Sequence, residues 1–228
     1  MCTINTNEIY LTWRKDIDKS RHVVGKLYKI DDSFFFQYIK ENVELAIKED
    51  GFTYYPPFLY IDEVYSENVL QTFQRRLLNP LRSDYNDFLN YWGALEYKDD
   101  VFSLLGLTGA KLLTDKFEFI APHDEIPAKF NTDVSWLNTK SESLVNAIRS
   151  LSNSEVEQFI SLDLDENNLF DTKAVRVLFK NETLGYLKSI HCANVHDAII
   201  NNKDVKVKIA NIIKNGTIKE VLLRIEIN

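Results

Sequence analysis

The strongest constraint on the fold of this chain lies between Asp163 and Leu187. A turn cluster, Asp165-Glu166-Asn167-Asn168, leads through Phe170-Asp171 into the run Ala174 to Lys180. In that run Val175, Val177 and Phe179 fall on one side, and Arg176, Leu178 and Lys180 on the other. A period of two with one apolar side is the pattern of a half-buried strand. Asn181-Glu182 makes a short connection, and Thr183 to Leu187 reads as the returning strand. Gly185 inside it predicts a bulge or a close backbone approach.

The flanking segments extend this sheet. Ser141 caps a predicted helix whose apolar stripe is Leu144, Val145, Ile148 and Leu151. Phe159 to Leu164 reads as a strand before the turn cluster. Ala193 to Asn201 reads as a short helix with Val195, Ala198 and Ile199 inward. Val205, Val207 and Ile209 alternate with Lys206, Lys208 and Ala210. Lys214-Asn215-Gly216 is a tight hairpin turn, and Ile218 to Ile227 returns to close the sheet. Short strands, hairpin turns and one short helix predict a small β-barrel of OB-like size.

The N-terminal half mixes both periods. Ile9 to Trp13, Val23 to Ile30 and Ser33 to Ile39 read as strands of a small antiparallel sheet. Asn42 to Asp50 reads as a helix closed by Gly51. Tyr54-Tyr55-Pro56-Pro57-Phe58 is a rigid connector, since proline lacks the ladder donor. Ser66 is the expected cap of a helix carrying Val69, Leu70, Phe73, Leu77 and Leu78, stopped at Asn79-Pro80. Ser83 is expected to cap a second helix that ends at Gly93. Asp99-Asp100 opens a third, broken at Gly106, before a strand from Lys116 to Ile120. Ala121 to Lys140 is polar, holds Pro122 and Pro127 and shows no sustained period. It reads as a linker, with Trp136 packed on one of the domains. The expectation is an α+β chain with a strand-and-helix domain over 1–120, a linker over 121–140 and a barrel domain over 141–228.

The segment Asn168-Leu169-Phe170-Asp171-Thr172-Lys173-Ala174-Val175-Arg176-Val177, followed by Gly185-Tyr186, resembles the HIRAN family. That family carries an N-x-[YF]-D-x-N-A-[VI]-x-V segment and then a Gly-Tyr or Gly-His pair on the next strand. Phe170 stands for the commoner Tyr, and Lys173 for the usual Asn. The resemblance covers roughly the last third of the chain. It implies recognition of single-stranded DNA ends, with a pocket for the 3′ hydroxyl terminus. By position it assigns DNA contact to Asn168, Phe170, Asp171, Lys173, Arg176, Gly185 and Tyr186. Phe170 would stack a base, Asp171 would accept the terminal hydroxyl, and Lys173 would meet phosphate. Read as residues alone, Phe170 is equally a buried turn anchor, and Asp171 equally a cap on its own turn.

The first half resembles the region that precedes HIRAN domains in small bacterial proteins, through Trp13, Gly25-Lys26-Leu27, Gly51-Phe52, Pro57-Phe58, Tyr65, Phe73, Arg76, Arg82, Asp84-Tyr85 and Asp115. It is also similar to the accessory N-terminal subdomain of HipA-type toxin kinases, through Phe73 to Pro80, Asp100 to Leu105 and Gly109. That second resemblance implies an accessory or antitoxin subunit docking on a kinase of that type.

Composition narrows the function classes. The chain carries a net charge of −7, which argues against general coating of nucleic acid. From Glu155 onward there are 10 Lys and Arg against 11 Asp and Glu. An end bound in a local pocket remains compatible with that balance. Lys203, Lys206, Lys208 and Lys214 gather near the last hairpin, either as one basic edge or as edge-strand lysines that block aggregation. Two cysteines, Cys2 and Cys192, provide no disulfide framework and fit a reducing compartment. The start, MCTINTNEIYLTW, lacks the basic-then-apolar order of a secretory leader, and no apolar run reaches membrane-spanning length. A cytoplasmic protein without a membrane partner is the expectation.

Catalytic and metal patterns find little support. Asp163, Asp165 and Asn167 alternate like the start of a calcium loop. Its sixth and twelfth positions are filled here by Asn168 and Ala174, which supply neither the glycine nor the bidentate acid. His191, Cys192 and His196 lie close together but lack a nearby fourth ligand. There is no Walker-type or dinucleotide glycine loop and no kinase catalytic motif. The sequence therefore points to a non-enzyme without a cofactor. The expectation is a binder of single-stranded DNA or 3′ ends in DNA repair, or a subunit in a toxin–antitoxin or defence setting.

Overall fold

Alternating runs in the first half pair with their sequence neighbours. The computed structural model describes the chain except residues 1, 3, 5, 17, 18, 20, 124, 140, 151, 153, 154, 157 and 216, and the side chains of 215 and 217. It is an α+β structure with two units, residues 4–122 and residues 123–228 with Cys2. Among the described residues no helix is long and apolar enough to cross a membrane.

In the first unit β1 (Glu8–Trp13), β2 (His22–Ile30) and β3 (Ser33–Tyr38) form an antiparallel meander. β4 (Val64–Tyr65) adds beyond β3, and β5 (Phe117–Ile120) pairs with β1. Period two places Ile9, Leu11, Leu27 and Phe36 on one face, all fully buried. That face packs on Phe73 of α2 (Val69–Gln74) and Leu105 of α4 (Val101–Thr108). α1 (Lys40–Asp50) ends where Gly51 takes φ 71°, and α3 (Tyr85–Trp92) where Gly93 takes φ 67°, both natural glycine conformations. Aromatic rings fill the core: Phe36 lies 4.9 Å from Phe58 and 5.3 Å from Phe73 between ring centres. The connector is tied down by the Tyr38 hydroxyl, which donates to the Phe58 carbonyl at 2.7 Å and accepts from Tyr55 N–H at 2.8 Å.

The ends of α2, α3 and α4 differ from expectation. α2 starts after Asn68 at φ 53°, not at Ser66, and ends before Leu77 and Leu78. Asn tolerates the left-handed region that shapes this entry. α3 starts after Asp84 rather than Ser83, and the Asp84 carboxylate binds Arg82 instead of capping the helix. α4 runs through Gly106 and stops at Gly109, φ 72°. A Cβ on Gly106 would lie 3.0 Å from the Ala121 Cβ and 3.1 Å from Ile9 Cγ2, so this glycine lets helix and sheet touch.

The second unit contains β6 (Ala128–Asp133), α5 (Glu142–Ser150), β7 (Ile160–Leu164), β8 (Val175–Phe179), β9 (Glu182–Tyr186), α6 (Ser189–Ile200), β10 (Val205–Asn215) and β11 (Thr217–Ile227). The expected linker over 121–140 is corrected here, because it supplies β6, a full partner of β11. Its pattern is hard to read because polar side chains occupy buried places. Asn131 accepts from Arg224 Nε at 3.1 Å, and Thr132 is 2% exposed. Trp136, expected to be packed, is 52% exposed at φ 53°. Leu151 and Gly216, expected on the α5 stripe and in the last turn, lie outside the described residues.

Val175, Val177 and Phe179 point into the core as their alternation requires. The β8–β9 turn sits one residue earlier than expected, on Lys180 and Asn181 with φ 49° and 68°, the doubly left-handed form that suits a two-residue hairpin. Gly185 stands at a bulge where Val177 pairs with Gly185 and Leu178 with Thr183.

The strands form two antiparallel sheets, β10-β11-β6 and β7-β8-β9. Ser135, just past β6, exchanges both backbone bonds with Tyr186 of β9 at 2.8 Å. The sheets are thus stitched on one side. On the other side no pairing joins β7 to β10 among the described residues, so the closed ladder of the expected barrel is not seen. The two sheets share one core, with Phe130, Ile148, Val177, Leu184 and Leu223 all buried.

The stitch depends on Gly185. A Cβ there would lie 2.4 Å from Val134 Cγ1 and 2.5 Å from the Ser135 carbonyl oxygen. Gly185→Ala is expected to destabilise the chain by about 1–3 kcal/mol through overpacking against backbone, read as a lower urea midpoint. An unchanged midpoint would show that the strands separate at no cost.

Candidate functional site at the loop between β7 and β8

The loop Asp165 to Ala174 is built from side chains that bond their own backbone. Asp165 N–H donates to the Ala174 carbonyl at 2.9 Å and closes the loop base. Asn168 Oδ1 accepts from the N–H groups of Phe170 and Asp171 at 3.0 and 3.1 Å. Asp171 Oδ1 accepts from Lys173 N–H at 2.9 Å, and the Asp171 carbonyl accepts from Ala174 N–H at 3.1 Å. Such Asx turns fix a loop without an apolar core of its own.

A second set of bonds anchors the loop to the sheet. Asp165 Oδ2 accepts from Asn168 Nδ2 at 3.1 Å and from the Tyr186 hydroxyl at 2.9 Å. These bonds hold the Asp165 carboxyl below the usual carboxylate range, the Asn168 bond contributing most. Burial, and then the bond to Asp165, pushes the Tyr186 phenol up. Arg176 Nη2 meets Asp163 Oδ2 at 2.5 Å, and Nη1 stands 4.0 Å from Asp165. Lys173 Nζ is held by both oxygens of Asp197 on α6, at 2.7 and 2.9 Å.

The sequence-derived residues thus take different places. Asn168, Arg176 and Tyr186 converge on Asp165 as a frame. Gly185 serves the strand junction. Asp171 caps a turn through one oxygen. Lys173 is tied to a helix. Phe170 projects outward, 97% exposed, beside Leu169 at 93%. The reading of Phe170 as a buried anchor is therefore overturned, because the loop is organised by polar bonds that leave its apex free. Leu169 went unnoticed in the sequence, where an isolated leucine in a turn carries no pattern.

The electrostatics of the apex are acidic. The loop carries Asp165, Glu166 and Asp171, and its cation Lys173 and the neighbouring Arg176 are engaged by Asp197 and Asp163. Burial pushes the Cys192 thiol up to about 11, leaving little thiolate at that residue. Among the described residues no group of three His, Cys, Asp or Glu side chains is placed to hold a metal. His191 and Cys192 turn into the core, while His196 lies beside Asp197 at 3.1 Å.

His191 has a neighbour that the sequence did not reveal. His123 stacks on Phe130 at 4.2 Å, and its ring centre lies 5.5 Å from that of His191. Burial lowers the His123 imidazole to about 4. His191 is held well below its ordinary range by burial, then by repulsion from His123 and Lys188, with Asp133 opposing. His191 Nδ1 is buried without a hydrogen-bond partner among the described residues.

Two outcomes follow from these placements. Phe170→Ala is expected to change stability by less than about 0.5 kcal/mol, as at an ordinary surface site; a large fall in melting temperature would restore the anchor reading. The folded histidines stay neutral where unfolded ones take up protons near pH 6.5. Their contribution to stability is therefore complete above that pH and declines as pH falls toward about 4. His191→Phe should flatten that decline by up to about 1.4 kcal/mol per pH unit. Urea titrations between pH 7 and 4.5 measure it, and parallel curves for the two proteins would refute the assignment.

Compared with protein-family models, curated proteins and solved structures, the chain finds no match.

Proposed function

We propose that the chain is a non-catalytic binding protein whose C-terminal unit captures a single-stranded DNA end in the manner of a HIRAN-like domain. In this reading the two stitched sheets are a small OB-like barrel with one open seam. The observation that carries the proposal is the Phe170 ring, 97% exposed on a loop whose backbone is fixed by Asn168, Asp165 and Asp171. A solvent-facing ring on a backbone fixed in this way gains about 1–3 kcal/mol by stacking one base. The Asp171 oxygen not used by Lys173 N–H accepts the terminal hydroxyl. Lys173 and Arg176 are engaged by carboxylates, so phosphate neutralisation contributes little, and stacking sets the affinity.

A second reading, the docking of an accessory subunit on a protein partner such as a HipA-type kinase, is favoured by one feature. Leu169 stands exposed beside Phe170, on a loop that also carries Asp165, Glu166 and Asp171. An apolar pair on an acidic loop suits a basic-rimmed protein pocket as well as a base.

Fluorescence anisotropy with a labelled oligothymidine separates the two. DNA-end capture requires micromolar binding, preference for a free 3′ hydroxyl over a 3′ phosphate, and a shallow salt dependence because few phosphates are neutralised. Phe170→Ala should weaken binding by about one to two decades. Asp171→Asn should reduce the hydroxyl preference more than the overall affinity. Wild-type protein that binds no oligothymidine would transfer the assignment to protein docking.

A further inference from the structure

The five-stranded sheet of the first unit ends in an open edge. β4 pairs with β3 on one side, through Val64 with Gln37 and Tyr65 with Phe36, and its other side carries no strand among the described residues. Apart from that pairing, the backbone from Ile61 to Ser66 makes no backbone–backbone hydrogen bond among the described residues. Free N–H and C=O groups on a strand are the template on which another strand adds. The segment is held in shape. The Tyr65 hydroxyl accepts from Tyr60 N–H at 2.7 Å and donates to the Tyr60 carbonyl at 3.1 Å, and its ring centre lies 4.7 Å from that of Phe58. Natural edges are blunted by shortness and by charge. β4 is short, but Leu59, Tyr60 and Val64, beside it and within it, are each more than half exposed. Apolar side chains of that size do not protect an edge; they gain by being covered. Glu63 and Glu67 flank the strand and are exposed. Neither joins an ion pair among the described residues, whereas the adjacent Asp62 is engaged by Lys40 at 2.8 Å.

These features choose between occupants. A nucleic acid strand would set its phosphates against Glu63 and Glu67. A second copy adding through its own β4 would set the carboxylates around one strand against those around the other, and like charges directly opposite are destabilising. An extended peptide with alternating basic and apolar side chains meets each requirement. Its backbone pairs with the free edge, its apolar side chains cover Leu59, Tyr60 and Val64, and its cations face Glu63 and Glu67. We propose that the free edge of β4 is a docking strand for an extended basic–apolar segment of a partner protein, bound by strand addition. The edge belongs to the first unit and rests on neither reading of the Phe170 loop.

The test uses the full chain and a fluorescein-labelled heptapeptide alternating lysine and valine. Anisotropy should show saturable binding, tighter by about tenfold or more than for the counterpart with serine in place of valine. The comparison is needed because a net charge of −7 attracts both peptides alike. Glu63→Gln combined with Glu67→Gln should weaken binding by about threefold or more. Glu142→Gln combined with Glu182→Gln, an equal change of charge in the second unit, should not. A melt checks the fold of each variant, and the peptide arms need no variant. Methylating alternate backbone nitrogens of the peptide should abolish binding in one register and spare it in the other, because only one set of N–H groups faces β4. Four results would each overturn the proposal. They are no saturable binding of the lysine–valine peptide, equal affinity for the valine and serine peptides, equal losses in the two charge variants, and indifference to backbone methylation in both registers. Phe170→Ala should leave peptide binding unchanged; a loss there would place the peptide on the loop and overturn the proposal as well.

Discussion

The second unit depends on how closely β9 can approach the chain leaving β6. The two sheets share a core, and between the chain leaving β6 and β9 the described backbone bonds include the Ser135–Tyr186 exchange and Asn138 N–H to the Leu184 carbonyl at 2.8 Å. That exchange exists because Gly185 has no Cβ where Val134 and the Ser135 carbonyl lie. The bulge at the same point leaves Leu184 fully buried and lets Tyr186 reach Asp165. One missing side chain thus links the core, the strand register and the loop that carries Phe170.

The loop itself illustrates how an exposed apolar apex is kept in place without apolar packing. Its turns are closed by side-chain oxygens on backbone N–H groups together with backbone bonds from Asn168 N–H to the Asp165 carbonyl and from Ala174 N–H to the Asp171 carbonyl, and Asp165 ties the assembly to β8 and β9 through Arg176 and Tyr186. Polar bonds of this kind contribute little net free energy singly, but breaking one leaves a donor unpaired. The backbone of the apex is therefore held by hydrogen bonds while its side chains face solvent. The exposed ring, on a loop that also carries Asp165, Glu166 and Asp171, is its chemically distinctive element.

The first unit solves a different problem. Arg76, its side chain 1% exposed, bridges the chain after α2 to the segment before β5. Its guanidinium binds Asp115 in a two-point pair at 2.5 and 2.9 Å, and the carbonyls of Ala110 and Phe117 at 3.1 and 3.0 Å. Every donor direction that burial would otherwise orphan has an acceptor among these groups or the faces of Tyr55 and Phe117. Aromatic packing fills the space between the sheet and its helices, and the fixed arginine holds two irregular segments against it.

Local periodicity alone determined the strands β1 to β3 and β8 to β11, and the helices that end at Gly51 and Gly93. Alternation at Val175, Val177 and Phe179 leaves one side to bury, and a left-handed turn residue admits few alternatives to glycine. The same reading located the Asp165–Asn168 turn and the importance of Gly185, since turn chemistry and a missing side chain act over a few residues. It failed at β6, where the buried Asn131 takes its polar partner, Arg224, from a distant segment and the buried Thr132 hydroxyl has no hydrogen-bond partner among the described residues. It failed at Gly106, where the reason for glycine is contact with Ile9 and Ala121 across the fold. The exposure of Phe170, the meeting of His123 with His191 and the open seam between β7 and β10 were decided only in three dimensions. Each depends on which segments lie side by side, and that is set by long-range packing, to which a short sequence window carries no signal.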